Sequence, residues 1–141
     1  MKIGFQCSSF DLFHTGHVAM LKIEKELCDY LKVALQVDPS EDRPEKNKPV
    51  QTIYERYVQL QACKYVDEIL VYSTEEDLLN LIKSQTMHIR FLSEEYLNRD
   101  FTGKQYCLEN NIEIHYHKRQ HTFSSSWLRK RVVAAEQMKG K

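Results

Sequence analysis

Two histidines, His14 and His17, flank a Thr-Gly pair close to the start of the chain. They lie where a first strand, predicted over residues 3–6, gives way to a first helix, predicted over residues 17–27. The first turn of a helix leaves backbone N–H groups unpaired and carries partial positive charge, so such a junction binds phosphate in open α/β sheets. Two imidazoles at this position indicate chemistry at a phosphate rather than simple phosphate binding.

Strand and helix patterns alternate along the chain. Strands are predicted over residues 3–6, 30–37, 68–72, 88–92 and 112–117. Helices are predicted over residues 17–27, 52–62 and 104–110 and after Ser124 or Ser125. A capping box formed by Ser73 and Glu76 predicts a further helix. This alternation predicts one α/β domain over residues 1–141, with a five-stranded parallel sheet flanked by helices.

Four predicted loops follow the carboxyl ends of the strands. They comprise residues 7–15, 38–51, 92–103 and 118–125. The second of these loops is polar and contains all three prolines of the chain, which is typical of irregular backbone. Ligands of parallel sheets bind beyond the carboxyl ends of the strands, at the point where the strand order reverses. We therefore expect side chains from all four loops to meet around one ligand.

The composition limits the partners of the chain. Its 20 basic residues are balanced by 20 acidic residues, so no overall field attracts nucleic acid or a membrane surface. The apolar runs are too short to span a bilayer, and no signal-peptide pattern is visible. The four cysteines are scattered and form no Cys-x-x-Cys pair, which is typical of thiols in a reducing compartment. We expect a cytoplasmic protein with no nucleic-acid or membrane partner.

Simpler interpretations exist for the histidines and for the basic tail. In a pair such as His14 and His17, one ring can cap a backbone group while the other packs, and a zinc site would need more ligands than His-x-x-His supplies. His115 and His117 share a face of the fifth strand, but without a cysteine or a placed carboxylate a metal site is not expected. The basic tail, residues 115–141, is interpreted as a phosphate-facing loop and a solvated helix rather than a nucleic-acid-binding face.

The first two motifs of the chain resemble one enzyme superfamily. The segment SFDLFHTGH at residues 9–17 resembles the signature of the HxGH nucleotidyltransferases and, within them, of the glycerol-3-phosphate cytidylyltransferase group. The pair Lys46 and Lys48, followed by Arg56 in the segment YER, resembles the lysine pair and the arginine-headed helix of that group.

Two later motifs continue the resemblance in the same order. The segment KYVDEI at residues 64–69 resembles the Arg-Tyr-Val-Asp-Glu element of the group. Arg119, followed by three serines from Ser124, resembles its closing Arg…Ser-Thr-Thr element. Four collinear matches are far more specific than any one of them, and they imply a Rossmann-like version of the α/β fold.

The resemblance also implies a role for each matching residue. His14, His17, Lys46 and Arg119 are the expected catalytic residues, and the histidines would grip the α- and β-phosphates. The expected nucleotide-binding residues are Ser9, Phe10, Asp11, His14, Thr15, Gly16, His17, Lys48, Arg119, Ser124, Ser125 and Ser126. The expected acceptor-binding residues are Lys46, Arg56 and Glu94. No metal ligand is expected from the protein.

The implied reaction is attack of a phosphomonoester on the α-phosphorus of CTP, with pyrophosphate leaving. A phosphomonoester is largely dianionic at neutral pH because its second pKa is about 6, so it needs no general base. It needs in-line placement and cations that face the accumulated negative charge. The resemblance implies that Mg²⁺ travels with CTP, that the acceptor is a small phosphorylated alcohol, and that the chain forms a homodimer. Glycerol 3-phosphate is the first candidate; phosphocholine, phosphoethanolamine and sugar phosphates stay open.

Two other functions remain open at this point. One is adenylyl transfer, because relatives that share H-x-G-H and a Ser-Ser-containing last motif use ATP. The other is a nucleotide-binding module without turnover. Ser8 stands where the family has glycine, which lets backbone approach phosphate closely. Lys64 stands where the family has arginine, whose planar fork makes bidentate contacts that lysine cannot copy.

Overall fold

The computed structural model describes residues 1–118 and 123–140. The strands are β1 (Ile3–Ser8), β2 (Tyr30–Gln36), β3 (Glu68–Tyr72), β4 (Ile89–Ser93) and β5 (Glu113–His117). The helices are α1 (Thr15–Glu26), α2 (Ile53–Gln61), α3 (Glu75–Ser84), α4 (Lys104–Glu109) and α5 (Ser125–Lys139). The predicted strands and helices are confirmed, with small changes at their ends. Arg119, an expected catalytic residue, lies outside the described residues.

The strands form one parallel sheet with the order β3-β2-β1-β4-β5. From β1 the chain moves outward through β2 to β3, and then returns to place β4 on the other side of β1. The strand order therefore reverses between β1 and β4, and the crevice beyond their carboxyl ends is the expected ligand position. The predicted five-stranded parallel sheet is confirmed, and the folding pattern is Rossmann-like.

The core covers both faces of the sheet. Leu31, Val33 and Leu35 of β2 point into a cluster with α1 and α2, whereas Ala34 lies in the cluster on the opposite face with α3. Because both faces of β2 are buried, its sequence is a nearly continuous apolar run rather than an alternating one. This interior strand ends at Gln36, immediately before the second loop of the site.

Three helices begin one or two residues away from their predicted starts, α2 among them at Ile53 rather than at residue 52. Helix α1 begins at Thr15 rather than at residue 17, because His14 caps it. The capping box of α3 is formed by Thr74 and Asp77, so the prediction of Ser73 and Glu76 is wrong by one residue. Thr74 Oγ1 accepts the N–H of Asp77 at 3.1 Å and the carboxylate of Asp77 accepts the N–H of Thr74 at 3.0 Å.

The loop after β4 and the last helix, α5, also differ in detail from the sequence prediction. The segment between β4 and α4 is not irregular throughout, because Glu94–Tyr96 forms a turn of 3-10 helix. The spacing of Leu128, Val132 and Ala135 predicts one apolar face on α5, but no residue of α5 is buried and Val132 is 56% exposed. Among the helices in the described ranges, none has the length and apolar character needed to cross a bilayer.

Candidate active site

The first turn of α1 is closed by two histidine side chains. Nδ1 of His14 accepts the N–H of Gly16 at 3.0 Å, and Nδ1 of His17 accepts the N–H of His14 at 3.2 Å. A nitrogen that accepts a hydrogen bond carries no proton, so each neutral ring holds its proton on Nε2. The two caps therefore turn both imidazoles into Nε2–H donors at the positive end of a helix.

Ring packing fixes the orientation of this pair. The centroids of His14 and His17 are 3.9 Å apart with an interplanar angle of 24°. The ring of Phe13 also stacks on His17, with centroids 5.7 Å apart, and the ring of Phe10 is tilted against it, with centroids 5.3 Å apart. Stacked rings restrict rotation about the side-chain torsions, so little ordering of His17 is left for a ligand to impose.

The loop between β1 and α1 has an unusual backbone. Phe10 and Leu12 have φ values of 48° and 53°, in the left-handed region that residues with a Cβ rarely adopt. Such residues concentrate at binding and catalytic sites, where the surrounding structure enforces the strain. The Phe10 side chain, which is 1% exposed, belongs to the core, so only its backbone can face a ligand. Ser9 is half-buried and Thr15 is exposed on the first turn of α1.

Asp11 joins this loop to the second loop of the site. Its two carboxylate oxygens accept the N–H groups of Val50 and Gln51 at 2.9 and 3.0 Å. The side chain of Gln51 accepts the N–H of Leu12 at 2.8 Å in return. The two hydrogen bonds to the carboxylate are charge-assisted, so they are stronger than hydrogen bonds between neutral groups. Asp11, an expected nucleotide-binding residue, therefore uses both carboxylate oxygens to hold the second loop against the first.

The N-terminus of α5 is attached to the same aspartate. Ser125 Oγ donates to the backbone oxygen of Asp11 at 2.8 Å, and Arg129 Nη1 lies 3.5 Å from its carboxylate. Ser124 caps α5 by accepting the N–H of Trp127 at 3.0 Å. The first and last motifs, which are far apart in the sequence, are thereby brought together at the carboxyl edge of the sheet.

A buried guanidinium donates hydrogen bonds to backbone carbonyls at the ends of these loops. Arg56 of α2 is 2% exposed and donates to the carbonyl oxygens of Gln51, Ser9, Gln36 and Val37. These carbonyls belong to the ends of β1 and β2 and to the start of α2. Burial is the main cause of the lowered pKa of Arg56, and the nearby carboxylates of Asp11 and Asp38 oppose it.

A family model described as cytidylyltransferase-like matches residues 5–131 of the chain, a span that includes these motifs. The chain belongs to the cytidylyltransferase-like family. The predicted membership in the nucleotidyltransferase superfamily is thus confirmed, whereas closeness to the glycerol-3-phosphate group remains a prediction.

Curated relatives match parts of the chain at moderate identity. The probable ethanolamine-phosphate cytidylyltransferase of Encephalitozoon cuniculi (strain GB-M1) is 44% identical over 70 residues, which cover 50% of this chain and 22% of that protein. The bifunctional protein HldE of Helicobacter hepaticus is 31% identical over 109 residues, which cover 77% of this chain and 22% of that protein. The chain therefore spans about a fifth of the length of each.

A solved structure supports the fold. The lipopolysaccharide core biosynthesis protein from Thermoplasma volcanium GSS1 matches with a TM-score of 0.67 at 21% identity, covering 87% of this chain and 99% of that chain. At this identity the likeness concerns the fold alone.

Arg129 lies beside these residues in the structure, and the sequence analysis did not single it out. Besides Asp11, it contacts Ser126, whose Oγ accepts from Nη2 at 3.0 Å. The available signal was its spacing, since a residue three positions after Ser126 on a helix lies on the same face. Sequence analysis assigned the arginines of α5 to a solvated surface and so overlooked it.

A groove of about 440 Å³ separates α5 from the second loop. It is lined by Asn47, Ser126, Arg129, Lys130, Val133, Ala134 and Gln137. Asn47 lies between Lys46 and Lys48, both of which are exposed. The positive charge of Lys48 contributes to the lowered pKa of Asp38, for which the hydrogen bond from Ser40 is the main cause. The groove is therefore lined by two cations of α5, Arg129 and Lys130, and by one residue of the second loop, Asn47.

The expected acceptor-binding residues do not come together as one group. Arg56 is buried and its guanidinium is engaged by backbone carbonyls, so it holds the loops together, and its assignment to the acceptor stays a prediction. Glu94 is exposed at the start of the 3-10 turn after β4, and Lys46 is exposed on the second loop. Among the residues that the structure describes, no group of three or more histidine, cysteine or acidic side chains could hold a metal ion.

Proposed function

We propose that this chain transfers a cytidylyl group from CTP to a small phosphorylated alcohol, forming a CDP-alcohol and pyrophosphate. The observation that carries the proposal is the pair of stacked imidazoles, each held as an Nε2–H donor by its own backbone cap at the N-terminus of α1. Two aligned donors on a helix end suit adjacent phosphates of a nucleotide. Membership in the cytidylyltransferase-like family supports the same chemistry.

In the proposed reaction a phosphate oxygen of the acceptor attacks the α-phosphorus of CTP. The bond from that phosphorus to the bridging oxygen of the β-phosphate breaks, and the electron pair leaves with pyrophosphate. The acceptor is already an anion, so the protein removes no proton. Its contribution is to hold the two substrates in line and to place donors where charge accumulates. His14 and His17 are the expected catalytic residues because they supply such donors.

Cations from later elements would complete the triphosphate site. Lys46 and Lys48 are exposed on the second loop, and Arg129 lies near the start of α5, 3.5 Å from the carboxylate of Asp11. Arg119 keeps the role that the family resemblance implies. Mg²⁺ would enter with the triphosphate and neutralise part of its charge. Asp11 is not assigned as a ligand of the ion, because both of its carboxylate oxygens already accept backbone N–H groups.

The acceptor is the least constrained part of the proposal. The motif resemblance favours glycerol 3-phosphate, whereas the relatives named ethanolamine-phosphate cytidylyltransferase favour ethanolamine phosphate. Both are small phosphorylated alcohols, so the reaction at the α-phosphorus is the same. Adenylyl transfer stays as an alternative, supported by a relative named FAD synthase from Thermococcus sibiricus that is 29% identical over 106 residues. A homodimer also stays a prediction.

The test measures pyrophosphate release with each of four nucleoside triphosphates against a panel of acceptors. Glycerol 3-phosphate, ethanolamine phosphate, phosphocholine and a sugar phosphate form the panel, and labelled CTP identifies the product. We expect release with CTP and Mg²⁺ and at least one of the acceptors. Turnover with ATP alone would replace the cytidylyl assignment with an adenylyl one. Tight CTP binding without release for every acceptor would identify a binding module.

A further inference from the structure

One buried guanidinium beside the site lacks the partners that a buried charge usually has. Arg90 of β4 is 2% exposed, and no ion pair among the described residues includes it. Its Nη1 donates to the carbonyl oxygen of Thr102, and its Nη2 lies 3.8 Å from Sγ of Cys7 on β1. Its Nε is buried and has no hydrogen-bond partner. The charge has therefore lost its hydration without gaining a matching set of oxygen acceptors.

Two other buried charges are better matched. The guanidinium of Arg56 donates to four backbone carbonyls. The carboxylate of Glu24 on α1, which is 0% exposed, accepts a hydrogen bond from Nε2 of Gln6 at 2.5 Å and lies 3.1 Å from Nε2 of His117 on β5. An apolar side chain would fill the place of Arg90 without the loss of hydration, so stability does not explain its charge.

The segment that follows β4 holds this guanidinium in one place. Gly103, immediately before α4, has a φ of 85°, and a Cβ there would lie 2.8 Å from Nη1 of Arg90 and 2.8 Å from Cδ1 of Ile82. A larger residue would therefore displace the guanidinium. The ring of Phe101 also faces it, with 5.0 Å between Cζ and the ring centroid. The charge is thus a fixed feature of the interior.

Arg90 lies at the crevice where the strand order reverses. Its strand pairs with β1, whose last two residues are Cys7 and Ser8. Cys7 packs with the apolar cluster on the α3 face of the sheet, whereas α1, which begins at the two histidines, packs on the opposite face. In-line transfer puts the acceptor and the pyrophosphate on opposite sides of the α-phosphorus. The α3 face of the crevice is therefore the side open to the acceptor.

Further donors for oxygen atoms surround Cys7 on this face. Burial is the main cause of the raised pKa of both Tyr72 and Tyr96, so both hydroxyls keep their protons at neutral pH. Both tyrosines are also close to Cys7 and to Arg43, whose charges shift the pKa of each in opposite directions. Two hydroxyl groups and two guanidinium groups thus lie around the end of β1.

The same surroundings are unsuited to a substrate cation. An ammonium group binds well over an open aromatic face, but the ring of Phe101 already interacts with Arg90 and, at 5.6 Å, with Nζ of Lys104. Of the carboxylates near the two tyrosines, Glu75 lies 3.7 Å from Arg43, and Glu95 is exposed to solvent.

We propose that Arg90 determines acceptor specificity: it favours a phosphomonoester whose far end carries hydroxyl or carboxylate oxygens, and it disfavours one that ends in an ammonium group. Arg90 acts through its charge, which the protein interior screens much less than water does. The inference rests on the proposed function and narrows its acceptor to a phosphorylated polyol or hydroxy acid. It separates the chain from its relatives named ethanolamine-phosphate cytidylyltransferase.

The test compares acceptors that differ in one group. Ethylene glycol monophosphate and ethanolamine phosphate have the same length, but one ends in a hydroxyl and the other in an ammonium group; phosphoglycolate places a carboxylate at that end. With CTP and Mg²⁺, we expect kcat/KM of the wild type to be about tenfold or more higher for the hydroxyl compound than for the ammonium compound. The value for phosphoglycolate shows whether hydroxyl or carboxylate oxygens are preferred. Equal or faster turnover of ethanolamine phosphate would overturn the inference and leave cytidylyl transfer intact.

Variants of Arg90 assign the preference to its charge. Arg90→Gln removes the charge but keeps a donor for Thr102, whereas Arg90→Lys keeps the charge. We expect Arg90→Gln to lose most of the preference with the KM for CTP unchanged, and Arg90→Lys to retain it. Arg90→Met, which fills the space without a charge, replaces Arg90→Gln if that variant does not fold. Arg131→Gln, an exposed change on α5, is the matched control. An unchanged preference in the uncharged variants would overturn the role of Arg90.

Calorimetry with the same acceptors gives a readout that needs no turnover. If no acceptor releases pyrophosphate, the proposed function fails, and affinity alone then decides the inference. Tighter binding of ethylene glycol monophosphate than of ethanolamine phosphate, with the difference lost in Arg90→Gln, would support it. Equal affinities, the reverse order or no binding of either compound would reject it.

Discussion

Nδ1 of His17 accepts the backbone N–H of His14 at 3.2 Å, and the two imidazole rings stack with centroids 3.9 Å apart. This is a capping box in which histidines take both side-chain roles, which serine or threonine and glutamate usually fill. One structural device therefore starts the helix and sets the tautomer of both rings. The same two residues thus contribute to both the local fold and the proposed chemistry.

The two nitrogens of His17 have separable roles, and two substitutions distinguish them. In His17→Asn the side-chain oxygen can replace Nδ1 as the cap, but nothing replaces the Nε2–H donor. We expect the midpoint of thermal unfolding to stay near that of the wild type while turnover falls about 10²- to 10³-fold. In His17→Ala both the cap and the Nε2–H donor are lost, and the missing cap costs about 1 kcal/mol of stability. His17→Ala should therefore be less stable than His17→Asn but show a similar loss of turnover, and near-normal turnover in His17→Asn would contradict the assigned roles.

Asp11→Asn tests the bond between the first two loops. The N–H groups of Val50 and Gln51 each use one carboxylate oxygen, and an asparagine offers only one acceptor. Hydrogen exchange at these two amides should become about tenfold faster, and CTP affinity should fall because the second loop carries Lys46 and Lys48. Asp29→Asn, whose carboxylate bonds to the N–H of Lys2 at the opposite end of the sheet, should leave exchange at Val50 unchanged.

Arg56→Lys is expected to destabilise the protein although it keeps the charge. Lysine cannot reproduce the planar fork that reaches carbonyls of both strand ends and the second loop, so some buried acceptors lose their donor. We expect the free energy of unfolding in urea to fall by about 2–3 kcal/mol. Arg131→Lys, an exposed change on α5, should have little effect. Retained stability with a raised acceptor KM would instead return Arg56 to the acceptor site.

The raised pKa of Glu24 predicts how its replacement responds to pH. A carboxyl whose pKa is higher in the folded state than in the unfolded state binds protons more tightly when folded. Its contribution to stability is complete below the unfolded pKa and is lost as pH rises through the folded pKa. The midpoint of thermal unfolding of Glu24→Gln, relative to the wild type, should therefore be higher at pH 8 than at pH 4. A difference that shrinks as pH rises would show that His117 more than compensates the buried charge.

The sheet and the first motif could be predicted because their signals are local. Strand β3 matches its predicted bounds, since a short apolar run between turn residues specifies a strand without reference to the rest of the chain. The change from a strand pattern to a helix pattern in the sequence predicted that His14 and His17 lie at the start of a helix. Cap positions were less certain, because Ser73 and Thr74 are chemically alike and only backbone geometry decides between them.

The contacts that the sequence analysis did not reveal join residues that are distant in the chain. Arg56 was expected at the acceptor site, and its burial depends on the meeting of β1 and β2 with the second loop. Glu24 lies 93 residues from His117, so no pattern within either element reveals their contact. Arg129 was assigned to solvent because the docking of α5 on Asp11 is a long-range contact.

The hydrogen bond from Ser125 to the backbone oxygen of Asp11 closes a loop of 114 residues. During synthesis the paired imidazoles and most of the sheet leave the ribosome well before Ser125 does. A nascent chain halted at β5 would already contain the whole sheet, yet its first loop would still lack the contact with α5. Any binding that needs both ends of this 114-residue loop should thus arise late and abruptly as the chain lengthens.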